Sequence, residues 1–462
     1  MRCPNGLMLM GLAFGCAVIA AFAAPSRADD FQVSYAAGSR DEAGRFAGGT
    51  EMRLLVAHSG KLYAGNGYWE DRPGPEGLQD AQILVLDRPD GRWRVDHAFE
   101  ERLASGRRRD LAVGALTEAV FATDRSGGLL PRPIPLLLAS TWDLTGAARI
   151  FTRDNASGTW EAVELTHDLP SAEFLPQIRS FASHRDRATG IDLVFAGDTP
   201  RGIFSGGYDA AAPGHIRWGA APELDASTVS TAFSGLAGRL RVSSFAEANG
   251  RLYAAVGQQI YERVDGPTPQ WRLVYTNPRS GHSETGLRGL TAIPGGAGGE
   301  ALLAAVEGNE ARLVRIDPTT GGEATELDLK DFLGRAWGMR VNYTIAAYND
   351  MTKVGGAVLL GVMAFVPRNA PIPPGHSVVD VGYGQVENGG WYLVRRTNGH
   401  YDLHHVDAAF TQPLVAVRTI RASPFPGDDS IYFGGYDANK AAAHNTAWIA
   451  RATPGAALRA IP

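Results

Sequence analysis

Apolar residues along this chain fall in short runs, many alternating with polar ones at a period of two. Gly, Asp, Asn and Pro separate the runs. That pattern predicts short β-strands joined by tight turns. Aligning the chain against itself shows three patterns in fixed order, seven times each. The first starts an apolar strand at 55–58, 121–124, 181–184, 245–248, 290–293, 345–348 and 420–423. The second is an apolar run ending in mostly small pairs. These are Ala64 and Gly65, Ala139 and Ser140, Ala196 and Gly197, Ala254 and Ala255, Ala304 and Ala305, Gly361 and Val362, and Gly434 and Gly435. The third is another apolar strand, clearest at 83–86, 149–151, 260–261, 313–314, 392–394 and 448–449. A turn and an aromatic often follow it, as at Asp90, Gly91 and Trp93, or Asn398, Gly399 and Tyr401.

Each unit therefore predicts four antiparallel strands, because Asp-Gly and Asn-Gly between apolar runs are hairpin signals. Seven such units predict an all-β, seven-bladed β-propeller. The small pairs have a physical reason, since blades converging on an axis leave little room between neighbouring sheets. Asn349 and Asp350 are read as the turn between the first two strands of the sixth unit. The last unit supplies only three strands, at 419–422, 430–435 and 447–451, while a lone strand at 31–36 has no partner of its own. That strand is expected to complete the last blade and close the ring.

Residues 1–28 are expected to be a signal peptide. Arg2 gives a positive start, residues 7–24 are apolar, and Ser26 to Ala28 offer a small-residue cleavage site. Residues 29–462 are then one propeller domain, periplasmic or secreted, with no membrane segment after signal removal. Both cysteines, Cys3 and Cys16, lie in the leader, so the mature chain has no thiol for a disulfide or a thiolate metal site. Loss of Arg2 and Arg27 takes the formal charge from −5 to −7. An acidic chain with no basic block is a poor nucleic-acid binder, and a monomer is expected. Its positive charge is nearly all arginine, with lysine only at positions 61, 330, 353 and 440.

The arginines carry the one regularity outside the core. Two positions before the apolar start of each first strand stand Arg53, Ala119, Arg179, Ser243, Arg288, Tyr343 and Arg418, with Arg109, Arg241 and Arg340 a little upstream of the other three. In a propeller these positions face the mouth of the axial funnel. There Arg53, Arg179, Arg288, Arg418, Arg241 and Arg340 would hold a carboxylate, sulfate or phosphate through paired hydrogen bonds. The competing expectation is that they bind carbonyls of neighbouring blades. Loops between second and third strands bring Tyr68, Trp69, Glu70, Trp142 and His376 to the same face, a mixture suited to sugars. For chemistry the candidates are His282, in a loop before Arg288, and Tyr343 beside Asn342, with Glu118 in the neighbouring register of another blade. Either His282 or Tyr343 could take the proton next to a uronate carboxylate. No HExxH, GxSxG, Walker A or GxGxxG pattern stands in a supporting context, and no metal site is indicated. A calcium ion held by carbonyls in the channel would leave little trace in the sequence.

Small residues in the second strand and the Asp-Gly…Trp turns resemble those of seven-bladed propellers generally, across nearly the whole mature chain. The turns look like degenerate Asp-box hairpins, but their spacing departs from that pattern and does not support a sialidase. The layout is also similar to exported propellers that are polysaccharide lyases with arginine, histidine and tyrosine in the funnel. That resemblance implies an anionic small molecule or acidic polysaccharide as partner and β-elimination as reaction. The alternative is a non-catalytic propeller serving as an interaction or ligand-binding platform. A quinone-dependent oxidoreductase is disfavoured because no regular tryptophan repeat is present.

Overall fold

The computed structural model of the chain describes residues 30–69, 71, 79–168, 176–229, 240–279, 286–348, 351–382, 384–406, 410–437 and 444–459. The expected signal peptide, Glu70, His282, Asn349 and Asp350 lie outside the described residues. The fold is nearly all β, in antiparallel sheets. Among the described residues no helix is long and apolar enough to cross a membrane.

Successive strands pair as up-and-down meanders. The first comprises Glu51–His58, Lys61–Gly67, Gln82–Leu86 and Arg94–Ala98. The second comprises Asp110–Thr123, Leu129–Asp143, Ala147–Arg153 and Trp160–His167. Then follow Gln177–Arg185, Asp192–Thr199, Gly202–Tyr208 and Ile216–Trp218, and Val242–Ala248, Arg251–Val256, Gln259–Val264 and Gln270–Thr276. The fifth comprises Gly286–Pro294, Glu300–Glu307, Arg312–Ile316 and Glu323–Asp328. In the sixth, Ala357–Val366 pairs with Trp391–Arg395, which pairs with Tyr401–His405. The last comprises Ala416–Ala422, Ile431–Tyr436 and Trp448–Ala452, and its outer partner is Phe31–Ala36. Phe31 is buried edge-on against Phe433 at 5.4 Å, and the Tyr35 hydroxyl donates to Gly48 O at 2.8 Å.

The small residues of the second strands stand where neighbouring sheets touch. A Cβ on Gly65 would lie 2.8 Å from Val113, on Gly197 2.6 Å from Val242, and on Gly361 2.1 Å from the Val417 carbonyl oxygen. Each contact is with the first, inner strand of the following sheet. Gly434 of the last sheet meets Met52 of the first, at 3.1 Å. Interiors packed at crystal-like density leave no space for a larger side chain at such points.

The structure departs from the sequence reading in three places. The second sheet's inner strand is long, and Leu116, not Phe121, lies opposite Ala139. The position equivalent to Arg53 is therefore Gly114 rather than Ala119. In the sixth sheet the inner strand is split into Tyr343–Ala346 and Thr352–Val354, both paired to Ala357–Val366. Its second part, Thr352–Val354, turns into Ala357–Val366 at Gly355 and Gly356, both at positive φ. A helix, Leu329–Trp337, precedes that sheet. It is capped by the Asp328 carboxylate and ended by Gly338 in the left-handed region, and it buries Leu329, Leu333 and Trp337 along one face.

Candidate functional site

The arginines reach a common centre because the inner strands are bulged at one repeated position. Pairing slips between Met52 and Leu54, Val113 and Ala115, Ile178 and Ser180, Val242 and Ser244, Leu287 and Leu290, and Val417 and Thr419. The residues left over are Arg53, Gly114, Arg179, Ser243, Arg288 with Gly289, and Arg418. A bulge takes one residue out of the ladder and re-aims its side chain. Here it releases four arginines from the alternation that would otherwise send them between sheets.

The sixth sheet contributes something different. Between the pairs Ala346–Val362 and Thr352–Leu359 its inner strand spends five residues where its partner spends two. Tyr348 stands in that detour. The Arg418 guanidinium lies 4.0 Å from the centre of its ring, Arg288 4.9 Å and Arg53 5.7 Å, and Arg179 Nη2 donates to its hydroxyl at 3.4 Å. Arg53 and Arg179 also flank the Trp142 ring, at 4.1 and 5.9 Å. Trp142 occupies the slot that Gly114 leaves open, since a Cβ there would stand 3.0 Å from the indole. Cation–π contacts of this kind contribute on the order of 0.5–2 kcal/mol each.

Among the described residues positive charge exceeds negative charge in this cluster. Arg53 pairs with Glu51 at 3.1 Å and Arg288 with Glu307 at 2.5 Å, while Arg418 Nε lies 3.8 Å from Glu51. Arg241 adds a fifth guanidinium close enough to Arg288 to be held below its usual range, after burial itself. Burial likewise pushes Arg179 down, to about 9. Tyr348 opposes that shift, and Arg241, Arg288 and Arg53 add to it. A guanidinium does not surrender its proton in practice, so this direction means stored positive charge that an anion would relieve. Burial would push the Tyr348 phenol up, but Arg53, Arg179, Arg288 and Arg418 outweigh it and hold it at about 7. Arg288 Nη1, Arg418 Nε and Trp142 Nε1 are buried donors with no hydrogen-bond acceptor among the described residues. Buried donors are ordinarily satisfied.

The other sequence candidates divide. Arg53, Arg179, Arg241, Arg288 and Arg418 come together, although Arg53 Nη1 also donates to the Val113 carbonyl of the next sheet at 3.2 Å. Arg340 is exposed after the helix. Tyr68 is core, buried under the Arg108 guanidinium at 4.4 Å. Trp69 is partly exposed and edge-on to Trp142 at 5.7 Å. His376 bonds Glu387 at 2.7 Å and stacks on Trp391, away from the arginines. Tyr343 packs edge-on against Phe365 at 5.7 Å, near enough to act electrostatically on Arg241 and Arg288. Glu118 binds His58 at 2.7 Å, four residues beyond the bulge of its strand. Tyr348 was missed because residues 345–348 read as continuous strand. The Gly355–Gly356 pair, too far downstream for a simple hairpin, was the available signal.

Among the described residues no three His, Cys, Asp or Glu side chains cluster to hold a metal. No protein-family model matches the chain, and no curated protein matches it. Solved structures do. An ancestral GH74 enzyme aligns with a TM-score of 0.50 at 11% identity over 91% of this chain, which spans about half (51%) of that enzyme. The GH93 α-L-arabinofuranosidase of Fusarium graminearum, solved with arabinobiose, aligns at 0.40 and 10% identity, over 80% of this chain and 98% of that one. A putative exo-β-1,3-galactanase from Bifidobacterium bifidum s17 aligns at 0.31 and 11%, over 64% and 96%. The first shows a shared fold; the other two are too distant to carry an argument.

Proposed function

We propose that the chain is an exported seven-bladed β-propeller, closed by Phe31–Ala36, that binds an acidic glycan at its arginine cluster and cleaves it by β-elimination. The observation that supports this is Tyr348, a phenol held near neutrality among four guanidiniums with buried donors left over. A uronate carboxylate would take those donors in paired hydrogen bonds. The Tyr348 phenolate oxygen then removes the proton from the carbon next to that carboxylate. The electron pair left behind is spread onto the carboxylate, where the guanidiniums stabilise it. It then forms a carbon–carbon double bond as the adjacent carbon–oxygen bond to the leaving sugar breaks. The leaving oxygen takes a proton from the now neutral Tyr348 or from water, which balances the step. The fold shared with a GH74 enzyme is compatible with a glycan substrate and does not select one.

The test is incubation with a panel of uronate polysaccharides, following the ultraviolet absorbance of the unsaturated product. Wild type should form product, and Tyr348→Phe should form none while still binding the polymer. Product formation unchanged in Tyr348→Phe would refute the assignment of the base. Binding of an acidic glycan without product in wild type would leave the non-catalytic platform as the reading.

A further inference from the structure

Beyond the bulges, in the chain direction of the inner strands, the axis opens into a chamber of about 480 Å³. Its wall is built from the residues that follow the arginines, among them 54–57, 115–117, 180–181, 244–247 and 290–292. Arg179 belongs to both spaces. It lines the chamber and donates to the Tyr348 hydroxyl, so the chamber adjoins the arginine cluster through this one side chain.

The chamber has two unlike sides. From the first to the fourth sheet it presents Leu54, Val56, Phe181 and Phe245, the two phenyl rings each half-buried. From the sixth and seventh sheets it presents Lys353 and Arg421. The Lys353 ammonium is exposed and has no carboxylate partner among the described residues, and Arg421 Nε donates to the Leu55 carbonyl at 2.9 Å. Its lining carboxylate, Glu247, is bound to His184. Among the described lining residues the cations Arg179, Lys353 and Arg421 stand with one carboxylate, Glu247, which His184 holds.

The geometry points to a second binding site here, for a small uronide, with the acid group at Lys353 and Arg421 and a sugar face against Phe181 and Phe245. The volume suits about one or two sugar rings. An aromatic wall opposite a cationic one is the chemistry such a ligand requires. The choice of a uronide rests on the acidic-glycan reading of the arginine cluster; the existence of the site rests on the chamber alone. On that reading the chamber holds a short product or chain end apart from the reacting sugar.

Calorimetric titration with D-galacturonate, which has no glycosidic bond to cleave, tests this. Wild type is expected to bind at two sites per chain. Lys353→Met should weaken one of them about tenfold, the usual worth of a charge-assisted hydrogen bond, and Ala246→Trp, which places an indole at the chamber wall, should weaken it as well. The paired variant Arg241→Gln with Arg418→Gln should weaken the other site and spare this one. Thermal melts of each variant confirm folding. A single site insensitive to Lys353→Met and Ala246→Trp overturns the chamber and leaves the arginine reading standing. A single site lost with Lys353→Met but untouched by the arginine pair supports the chamber and overturns the arginine reading. No binding heat in wild type overturns both.

Discussion

A tyrosine that ionises near neutrality can be seen directly, because tyrosinate absorbs where the phenol does not. At an ordinary pKa near 10 about one phenol in a thousand is ionised at pH 7, whereas at the value of about 7 held for Tyr348 half is. Spectroscopic titration of wild type should therefore show one tyrosine equivalent rising around pH 7, well before the others. That step should be absent from Tyr348→Phe. Its size can be worked from the contacts. A charge some 4 Å away at an effective dielectric constant of about 20 interacts by roughly 4 kcal/mol, but partial solvent access and rearrangement of the remaining arginines discount this severalfold. Arg418 lies 4.0 Å from the ring centre, farther from the hydroxyl itself, and acts on the phenol after Arg53, Arg179 and Arg288. Arg418→Gln should therefore raise the midpoint by roughly half a unit to one unit. Glu51 keeps Arg53 as partner in that variant, so the substitution does not strand a buried carboxylate. Galacturonate bound at the cluster should raise the midpoint in the same direction, because its carboxylate replaces the phenolate as counter-charge, and binding at pH 7.5 should take up protons. A wild type with no tyrosine ionising below about pH 9 would refute the reasoning. So would an early step that survives in Tyr348→Phe.

Two further predictions concern the scaffold. Deleting residues 30–37 removes the outer partner of Trp448–Ala452 and exposes what Phe31 and Tyr35 bury; at about 2 kcal/mol per aromatic plus the lost ladder, the melting temperature should fall by roughly 5–10 °C, and an unchanged melt would refute closure by this strand. His184 is clamped between Glu247 and Asp265, which outweigh burial and raise its pKa. A raised folded-state pKa stabilises below the unfolded value and is lost as pH rises through the folded one. The destabilisation caused by His184→Gln should thus be larger at pH 5.5 than at pH 8.5, and a difference independent of pH would contradict the clamp.

The repeated units were legible because their signals are steric. A small residue is needed wherever one sheet meets the next, as Gly65 meets Val113 and Gly361 meets Val417, and turns need Asp-Gly or Asn-Gly. Counting from those marks put Arg53, Arg179, Arg288 and Arg418 in one register. The same counting failed at Ala119, because the long second hairpin repeats an apolar start at Phe121 five residues after Leu116. It failed at Tyr343 because the sixth inner strand is broken, and the tyrosine among the arginines is Tyr348. The bulges had no sequence signature. They are shifts in pairing at arginine, serine and glycine alike, and pairing partners are not written in any one segment.

Charge balance explains why a tyrosine, rather than another arginine, occupies the sixth sheet's detour. Five guanidiniums cannot share a recessed space without counter-charge, since desolvating each of them is costly. Among the described residues Glu51 and Glu307 answer two of them. A third carboxylate would neutralise the cluster further and would compete permanently with an incoming acid group. A phenol poised near neutrality supplies negative charge while the site is empty and yields part of it, by protonation, when a ligand carboxylate arrives. On the proposed function, the fraction that stays ionised in the occupied site is the base, and the same carboxylate makes it a stronger one. On the proposed function, the arginines that would bind the ligand are also what set the proton affinity of Tyr348, so binding and proton transfer would be coupled through one cluster.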